Sequence, residues 1–311
     1  MWRDVDPRSH EHDRPHPSRG SRGAGDLNER QASNDPCDAL TRDLDLPRGL
    51  DRERVRSRGL DYELRGSEVR TLAAAGTFRV VPAADLRDLY DDPGRQQREL
   101  THLRERGLIQ TTPYVVGPTR TTLVTLTERG RAVLEDARRE RGDTTSQAFY
   151  AGISRRRELA HDSRLYRAYV HAVERLVSRG ARVRRVVLES ELKRDYQRFL
   201  QRDNRGRPDS AGRPERDVHE IARWAREHHL PCQDGHLAFP DARIEYDERD
   251  GRSGIEDIEV ITPHYRGAHA AAKARSGFSC YRSVGARLGG AGRTGRGGRG
   301  MDPRLAEELL S

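Results

Sequence analysis

Residues 100–112, LTHLRERGLIQTT, and residues 121–137, TTLVTLTERGRAVLEDA, carry the pattern from which the fold of the first half follows. Leu100 and Leu103 stand one helical turn apart and Gly107 supplies a C-terminal stop, so a helix is expected over 95–106. Residues 108–116 and 121–126 are rich in Thr, Val and Ile and flank Gly117-Pro118, the composition of two strands joined by a turn. Thr127 then stands where an N-cap belongs. Ala132, Val133 and Ala137 fall on one side of the helix it would start, over 128–139. Upstream, Ser67 heads a helix that Gly76 ends, and Pro82 opens a second over 83–90 with Leu86 and Leu89 inward. Three helices, a two-stranded ribbon and a further helix are expected in that order.

Composition limits what the rest can be. Only 33% of the 311 residues are hydrophobic and 35% are charged, too polar a mixture to pack throughout. Residues 1–64 have almost no periodic apolar positions and are expected to be disordered, with a short helix near 51–58; 283–311 form a Gly/Arg-rich tail. A net charge of +8 favours acidic partners, nucleic acid first among them. Cys37, Cys232 and Cys280 lie too far apart for a disulfide framework or a four-cysteine zinc site. No apolar run is long enough for a membrane span, so a cytoplasmic protein is expected. All but two of the 58 basic residues are arginine, which singles out Lys193 and Lys273 as compact ammonium groups.

The Leu-x-x-x-Gly-Leu-Ile at 103–109 and the Leu-Thr-x-x-Gly-Arg at 126–131 closely resemble the corresponding stretch of MarR- and PadR-like winged helices. The resemblance implies a winged helix-turn-helix over 66–141 that binds double-stranded DNA. Its third helix would lie in the major groove. Arg95, Gln96, Arg98 and His102 face away from the Leu100/Leu103 seam, and Arg and Gln are side-chain types that read guanine and adenine edges. Arg120, at the tip of the ribbon, is placed for phosphate or the minor groove.

Residues 150–282 read as an α/β domain. A long helix over 154–179 with a break near His161-Asp162 leads to a strand at 183–188 and two further helices, then to a hairpin of 242–247 with 255–262. If Asp247 pairs with Ile255, Arg243 opposes Glu259 and Asp241 lies diagonal to it on the same face. Two carboxylates so placed can share a divalent ion, and magnesium is held by one or two carboxylates with water and phosphate completing its shell. His228, His229, Cys232 and His236 have tolerable zinc spacing, and Tyr265 and Tyr281 are conceivable nucleophiles without a His-x-x-x-His cradle.

Pro240-Asp241 on one strand with Glu259 on the next resembles the PD-(D/E)XK nuclease superfamily. The resemblance implies Asp241 and Glu259 as catalytic metal ligands for Mg2+. The superfamily's lysine falls two residues after the second acid, where this chain has Ile261; Lys273 would replace it from the next helix. Glu174, Glu189 and Glu191 are open candidates for a further carboxylate. The same region, with His161-Asp162, Pro240-Asp241, Glu259-Val260-Ile261-Thr262, Lys273 and Tyr281, also resembles plasmid replication–relaxation proteins. The fold expected is therefore α+β, a winged helix followed by a PD-(D/E)XK-like α/β domain. The function expected is DNA binding on a plasmid or mobile element, in replication–relaxation or transcription control, with a nuclease-like domain that need not cleave. Two alternatives stand beside it: a metal-dependent endonuclease or nickase, and a regulator whose C-terminal domain dimerises or senses a ligand. A homodimer is compatible with each.

Overall fold

The computed structural model describes residues 36–89, 92–116, 119–139, 146–153, 159–202, 216–233, 235–261 and 276–282, all within one compact unit spanning 35–311. The protein is mixed α+β. Among the described residues no helix is long and apolar enough to cross a membrane.

The first correction concerns residues 36–64, which are ordered. A short helix, α1 (Asp38–Thr41), precedes a hairpin of β1 (Glu53–Ser57) and β2 (Leu60–Leu64), where a helix near 51–58 was expected. Cys37, Leu40, Leu44, Leu46, Tyr62 and Leu64 are buried. Arg58 and Gly59 turn the hairpin, both at positive φ (48° and 78°), as a tight two-residue connection requires. Irregular spacing hid these apolar residues, because they meet one core from three directions and do not line one face of one element.

Next come the expected elements, except that Pro82 ends a short strand and the helix expected over 83–90 is a 3-10 helix. Helix α2 (Gly66–Phe78) leads through β3 (Val81–Pro82) and a 3-10 turn (Ala83–Leu89) to α3 (Pro93–Glu105), the ribbon β4 (Ile109–Val116) and β5 (Thr119–Leu126), and α4 (Glu128–Asp136). β3 pairs with β5, making a three-stranded sheet. The Leu-Thr-x-x-Gly-Arg motif has a packing reason. Thr127 caps α4 by accepting from Gly130 N–H (3.1 Å) and donates its hydroxyl to the Gly107 carbonyl (2.6 Å). A Cβ on Gly130 would stand 2.2 Å from the Leu108 carbonyl oxygen. Only glycine lets α4 sit on that turn.

Helix α2 is buried on every side except at Arg70. Its Ala73-Ala74-Ala75-Gly76 run lets neighbours approach closely, and a Cβ at Gly76 would press on Leu126, Phe149 and Leu134. Ser67, expected as its cap, is instead inside the helix, and Glu68 accepts the Arg65 N–H (3.1 Å).

The second half is built on one sheet of order β11-β10-β9-β6, comprising β6 (Arg182–Leu188), β9 (Ala242–Asp247), β10 (Ser253–Ile261) and β11 (Ser279–Arg282). Its neighbours are antiparallel except for β10 and β11, which are parallel. Helix α5 (Leu159–Ser178) covers one face through Leu165, Tyr169, Ala172, Val173 and Leu176. His161-Asp162 lie in its first turn, and residues 154–158, where the helix was expected to begin, lie outside the described residues. Helices α6 (Glu189–Gln201) and α7 (Val218–Glu227) cover the other face over a smaller core of Val187, Leu192, Trp224 and Leu230. A minimal hairpin of β7 (Cys232–Gln233) and β8 (His236–Leu237) lies between α7 and β9.

The halves are not separate cores. Phe78 at the end of α2 meets Tyr166 edge-on (ring centroids 5.4 Å apart) and Tyr169 (4.9 Å) on α5. One apolar cluster runs from Leu40 through α2 and α5 into Ile244 and Val260. Residues 146–153 fasten the joint: Tyr150 N–H donates to Gly76 O (2.8 Å), and the Gln147 amide bonds both ways to the backbone of Val186 on the sheet edge. Phe78→Ala should therefore cost about 3–5 kcal/mol in a single urea transition covering both halves. Two resolved transitions in the wild-type chain would contradict the shared core. Gly130→Ala should lose about 1–3 kcal/mol by overpacking, read as a lower thermal midpoint.

Candidate functional site

Two places gather the residues of interest: the face of α3, and the end of the sheet where β9 starts and β10 finishes.

Helix α3 begins on Asp92, whose carboxylate accepts from Gly94 N–H (3.2 Å) and Arg95 N–H (2.8 Å); these backbone bonds hold the carboxyl below its ordinary range. The inward face then differs from expectation. Gln96 is buried and donates to the Ala83 carbonyl (2.6 Å). Arg95 donates to Glu99 (2.8 Å), which also accepts the Ser67 hydroxyl (2.6 Å). His102 Nδ1 lies 2.8 Å from Glu68, an entirely buried carboxylate that Arg52 also pairs at 2.7 Å. Gln96 thus ties α3 to Ala83, His102 ties it to α2, and Arg95 is held along α3 itself, so none of the three stands open on the outward face. The apolar seam of Leu100 and Leu103 is extended by polar Gln96 and Glu99, which rotates the buried stripe.

What α3 turns outward is Gln97, Arg98, Arg104 and Glu105, with Thr101 half-buried among them. Of the four residues expected on this face only Arg98 belongs to it; its side chain is 73% exposed, with Asp92 3.6 Å away. Arg120 is exposed near the end of the ribbon, paired across from Val115.

At the sheet end, the hairpin register differs by two residues from the one expected. Asp247 pairs with Ser253, so Arg243 faces Asp257, not Glu259. The connection is five residues long, and Gly254 sits opposite Tyr246, whose ring fills the space that a Cβ there would need (2.4 Å). Arg243 forms a two-pronged pair with Asp257 (2.7 and 2.9 Å) and donates to the carbonyls of His228 and His229 that end α7. The register ends at Ala242–Ile258; Asp241, one residue before it, and Glu259, one residue after it, are both buried.

Asp241 joins several elements. Its N–H donates to Ile258 O and its carbonyl accepts from Glu189 N–H, each at 3.0 Å. Its Oδ2 accepts from Val260 N–H (2.7 Å) and stands 2.8 Å from Nε2 of His161. The other ring nitrogen of His161 lies 3.3 Å from Asp162. Burial opposes a charge on this ring, but hydrogen bonds to Asp162 and Asp241, and their charges, outweigh it and raise the pKa to about 10. Beside this cluster Arg79, at φ 65°, stacks on Tyr150 (3.8 Å) and donates to Ser190 (3.2 Å), while the Tyr150 hydroxyl donates to Glu191 (2.9 Å). Sequence reasoning missed Arg79 and Tyr150, since only the fold brings α2 to the start of α6.

Of the open carboxylates, Glu174 is on the solvent side of α5 beside His171, Glu189 pairs with Lys193 (2.6 Å), and Glu191 is held by Tyr150 and Arg185. Lys273 and Tyr265 lie outside the described residues. Tyr281 meets Arg175 and Glu256; burial and then Glu256 push its pKa up to about 12 against the pull of Arg175, the reverse of what a nucleophile needs. His228 stacks on Trp224 (3.8 Å) with Nδ1 bonded to that residue's carbonyl. Among the described residues, no group of three or more His, Cys, Asp or Glu is placed to hold a metal ion.

Compared with protein-family models, curated proteins and solved structures, the chain matches none.

The His161 proton links stability to pH. Its pKa rises on folding from an ordinary 6.5 to about 10. The stabilisation is complete below 6.5 and is lost as pH climbs toward 10, by up to about 1.4 kcal/mol per pH unit. Urea denaturation near pH 6 and near pH 9 should show this decline, and His161→Gln should remove it. An equal gap between the two proteins at both pH values would contradict a charged ring.

Proposed function

We propose that the chain is a DNA-binding protein whose residues 66–139 act as a winged helix. Helix α3 is its recognition element and the β4–β5 ribbon its wing. The observation that carries this reading is the outward face of α3: Gln97, Arg98, Thr101 and Arg104 follow one another at helical spacing, while the opposite face is held to α2 by the buried His102–Glu68 pair and the Ser67–Glu99 hydrogen bond. A reading helix must present its donors from a rigid support, since a side chain gains affinity only for the freedom it need not lose on binding. Arg and Gln supply donors that match guanine and adenine edges in the major groove. The wing, 109–127, carries one charge, Arg120, and no acid, so nothing on it repels phosphate.

The role on plasmid or mobile DNA, in replication–relaxation or transcription control, is part of the same proposal. Its support is the meeting of two dipeptides, His161-Asp162 and Pro240-Asp241, which lie 80 residues apart and share a 2.8 Å hydrogen bond. In this reading the nuclease-like second half is a scaffold that orients the winged helix on the duplex, and a cut strand is not its product.

Selection of duplexes from a random library, followed by fluorescence anisotropy, tests the reading. Arg98→Ala should weaken the selected site by about 1–3 kcal/mol if the side chain reads a base, whereas Gln97→Ala and Arg104→Ala report the same face independently. Deleting 283–300 should lower the salt slope equally for all duplexes. Failure to enrich any duplex, or an unchanged affinity in all three substitutions, would sink the winged-helix assignment. Magnesium-dependent nicking of supercoiled plasmid that disappears in Asp241→Asn would replace it with the nickase reading.

A further inference from the structure

A helix about 10–12 Å in diameter fills a major groove about 12 Å wide, so its two flanks lie against the two rows of phosphates. Helical spacing puts Arg98, Thr101 and Glu105 at the centre of the outward face of α3, and Gln97 and Arg104 on one flank. Arg95, His102 and the C-cap residue Arg106 stand on the other. Two arginines from outside α3 widen that second flank: Arg52, just before β1, and Arg65, at the start of α2.

Two buried carboxylates tie these cations together from behind. Glu68 accepts from Nε and Nη2 of Arg52 (3.3 and 2.7 Å) and lies 2.8 Å from Nδ1 of His102. Nε of Arg106 donates to the other ring nitrogen of His102 (3.4 Å), which leaves a ring proton on Nδ1, facing Glu68. One oxygen of Glu99 lies 2.8 Å from Nε of Arg95 and 3.7 Å from Nη1 of Arg65, so guanidinium groups from two elements share it. The acids are sealed inside, but the guanidinium groups keep an open side. The side chains of Arg52 and Arg65 are 30% and 26% exposed, and Arg106 is exposed. The contacts described for Arg52 use Nε and Nη2, and the one described for Arg106 uses Nε, so each fork has donors left for an anion. Glu105 is the only exposed carboxylate on α3, and no described ion pair links it to Arg106.

We propose that Arg52, Arg65 and Arg106 form a phosphate clamp along this flank of α3, gripping the backbone of one DNA strand while the outward face reads base edges. The clamp rests on the winged-helix reading and adds the segment before α2 to the DNA interface. A guanidinium fork matches two oxygens of a phosphate. Held from behind, it loses little further freedom on contact. Contacts of this kind fix the register of a protein on the duplex and carry no sequence information.

Fluorescence anisotropy of the full chain, over a range of salt, tests the clamp with an enriched duplex and a scrambled one of equal composition. Arg106→Ala should weaken both duplexes by the same factor and reduce the slope of log K against log salt by about one. Arg52→Gln and Arg65→Gln should each do the same. Circular dichroism shows whether these two fold, and Arg106→Ala decides alone if they do not. Arg226→Ala, which removes an exposed charge from α7, should leave the slope unchanged. Neutral methylphosphonate linkages, placed one at a time in the enriched duplex, should include one that weakens wild type but not Arg106→Ala. An unchanged slope in Arg106→Ala, an equal drop in Arg226→Ala, or a loss confined to the enriched duplex would overturn the clamp. Failure of the winged-helix reading shows itself differently, as the lack of any enriched duplex or as indifference to Arg98→Ala.

Discussion

Contact between Phe78 and the paired rings of Tyr166 and Tyr169 is the constraint on which the rest of the molecule depends. It joins the last turn of α2 to the first half of α5, and each of those helices is the centre of its own half. Because α2 is buried on nearly all sides, its small residues have no solvent-facing alternative, and α5 becomes part of its packing. The Tyr166 hydroxyl meets Cys37 (3.1 Å) and the Tyr169 hydroxyl donates to the Pro36 carbonyl (2.7 Å), so the segment before α1 closes over the same joint. Helix α2, against which α3 packs, and the sheet that carries the Asp241 cluster therefore share one core.

The high charge content is used inside the fold as well as on it. Glu68, Glu99, Asp241, Arg243 and Glu259 are all buried. Desolvating such groups is expensive, and each described pairing around them works as a directional contact: Glu68 with Arg52 and His102, Glu99 with Arg95 and Ser67, Arg243 with Asp257. Apolar contact alone would let α3 roll on α2. Carboxylates with two or three defined donors hold it to one rotation, and the same logic holds α5 against β9 through His161.

Those internal charges also explain which features were legible. Periodicity of leucine, valine and threonine located α3, the β4–β5 ribbon, α4 and β9 within a few residues, because apolar residues repeating at 3.6 or 2 positions have a single use. The rotation of α3 was not legible. Arg95, Gln96, Glu99 and His102 look like solvent-facing residues until Ser67, Glu68 and Ala83 are seen to satisfy them. Residues 36–64 were misread for a related reason, since their apolar side chains serve a core assembled from distant segments and so have no period of their own. The hairpin register turned on the Tyr246–Gly254 contact, a cross-strand fit with no local signature.

By itself, then, the chain determined α2, α3, the β4–β5 ribbon, α4 with its Thr127 cap, and the residue types that chemistry would use, because these follow from backbone preference and short-range spacing. Tertiary structure alone decided which polar side chains are partners and which are presented, and it brought His161 to Asp241 across 80 residues. The reason is physical. A polar group is free to face water or a buried partner at similar net energy, so its direction is set by what the rest of the chain places beside it.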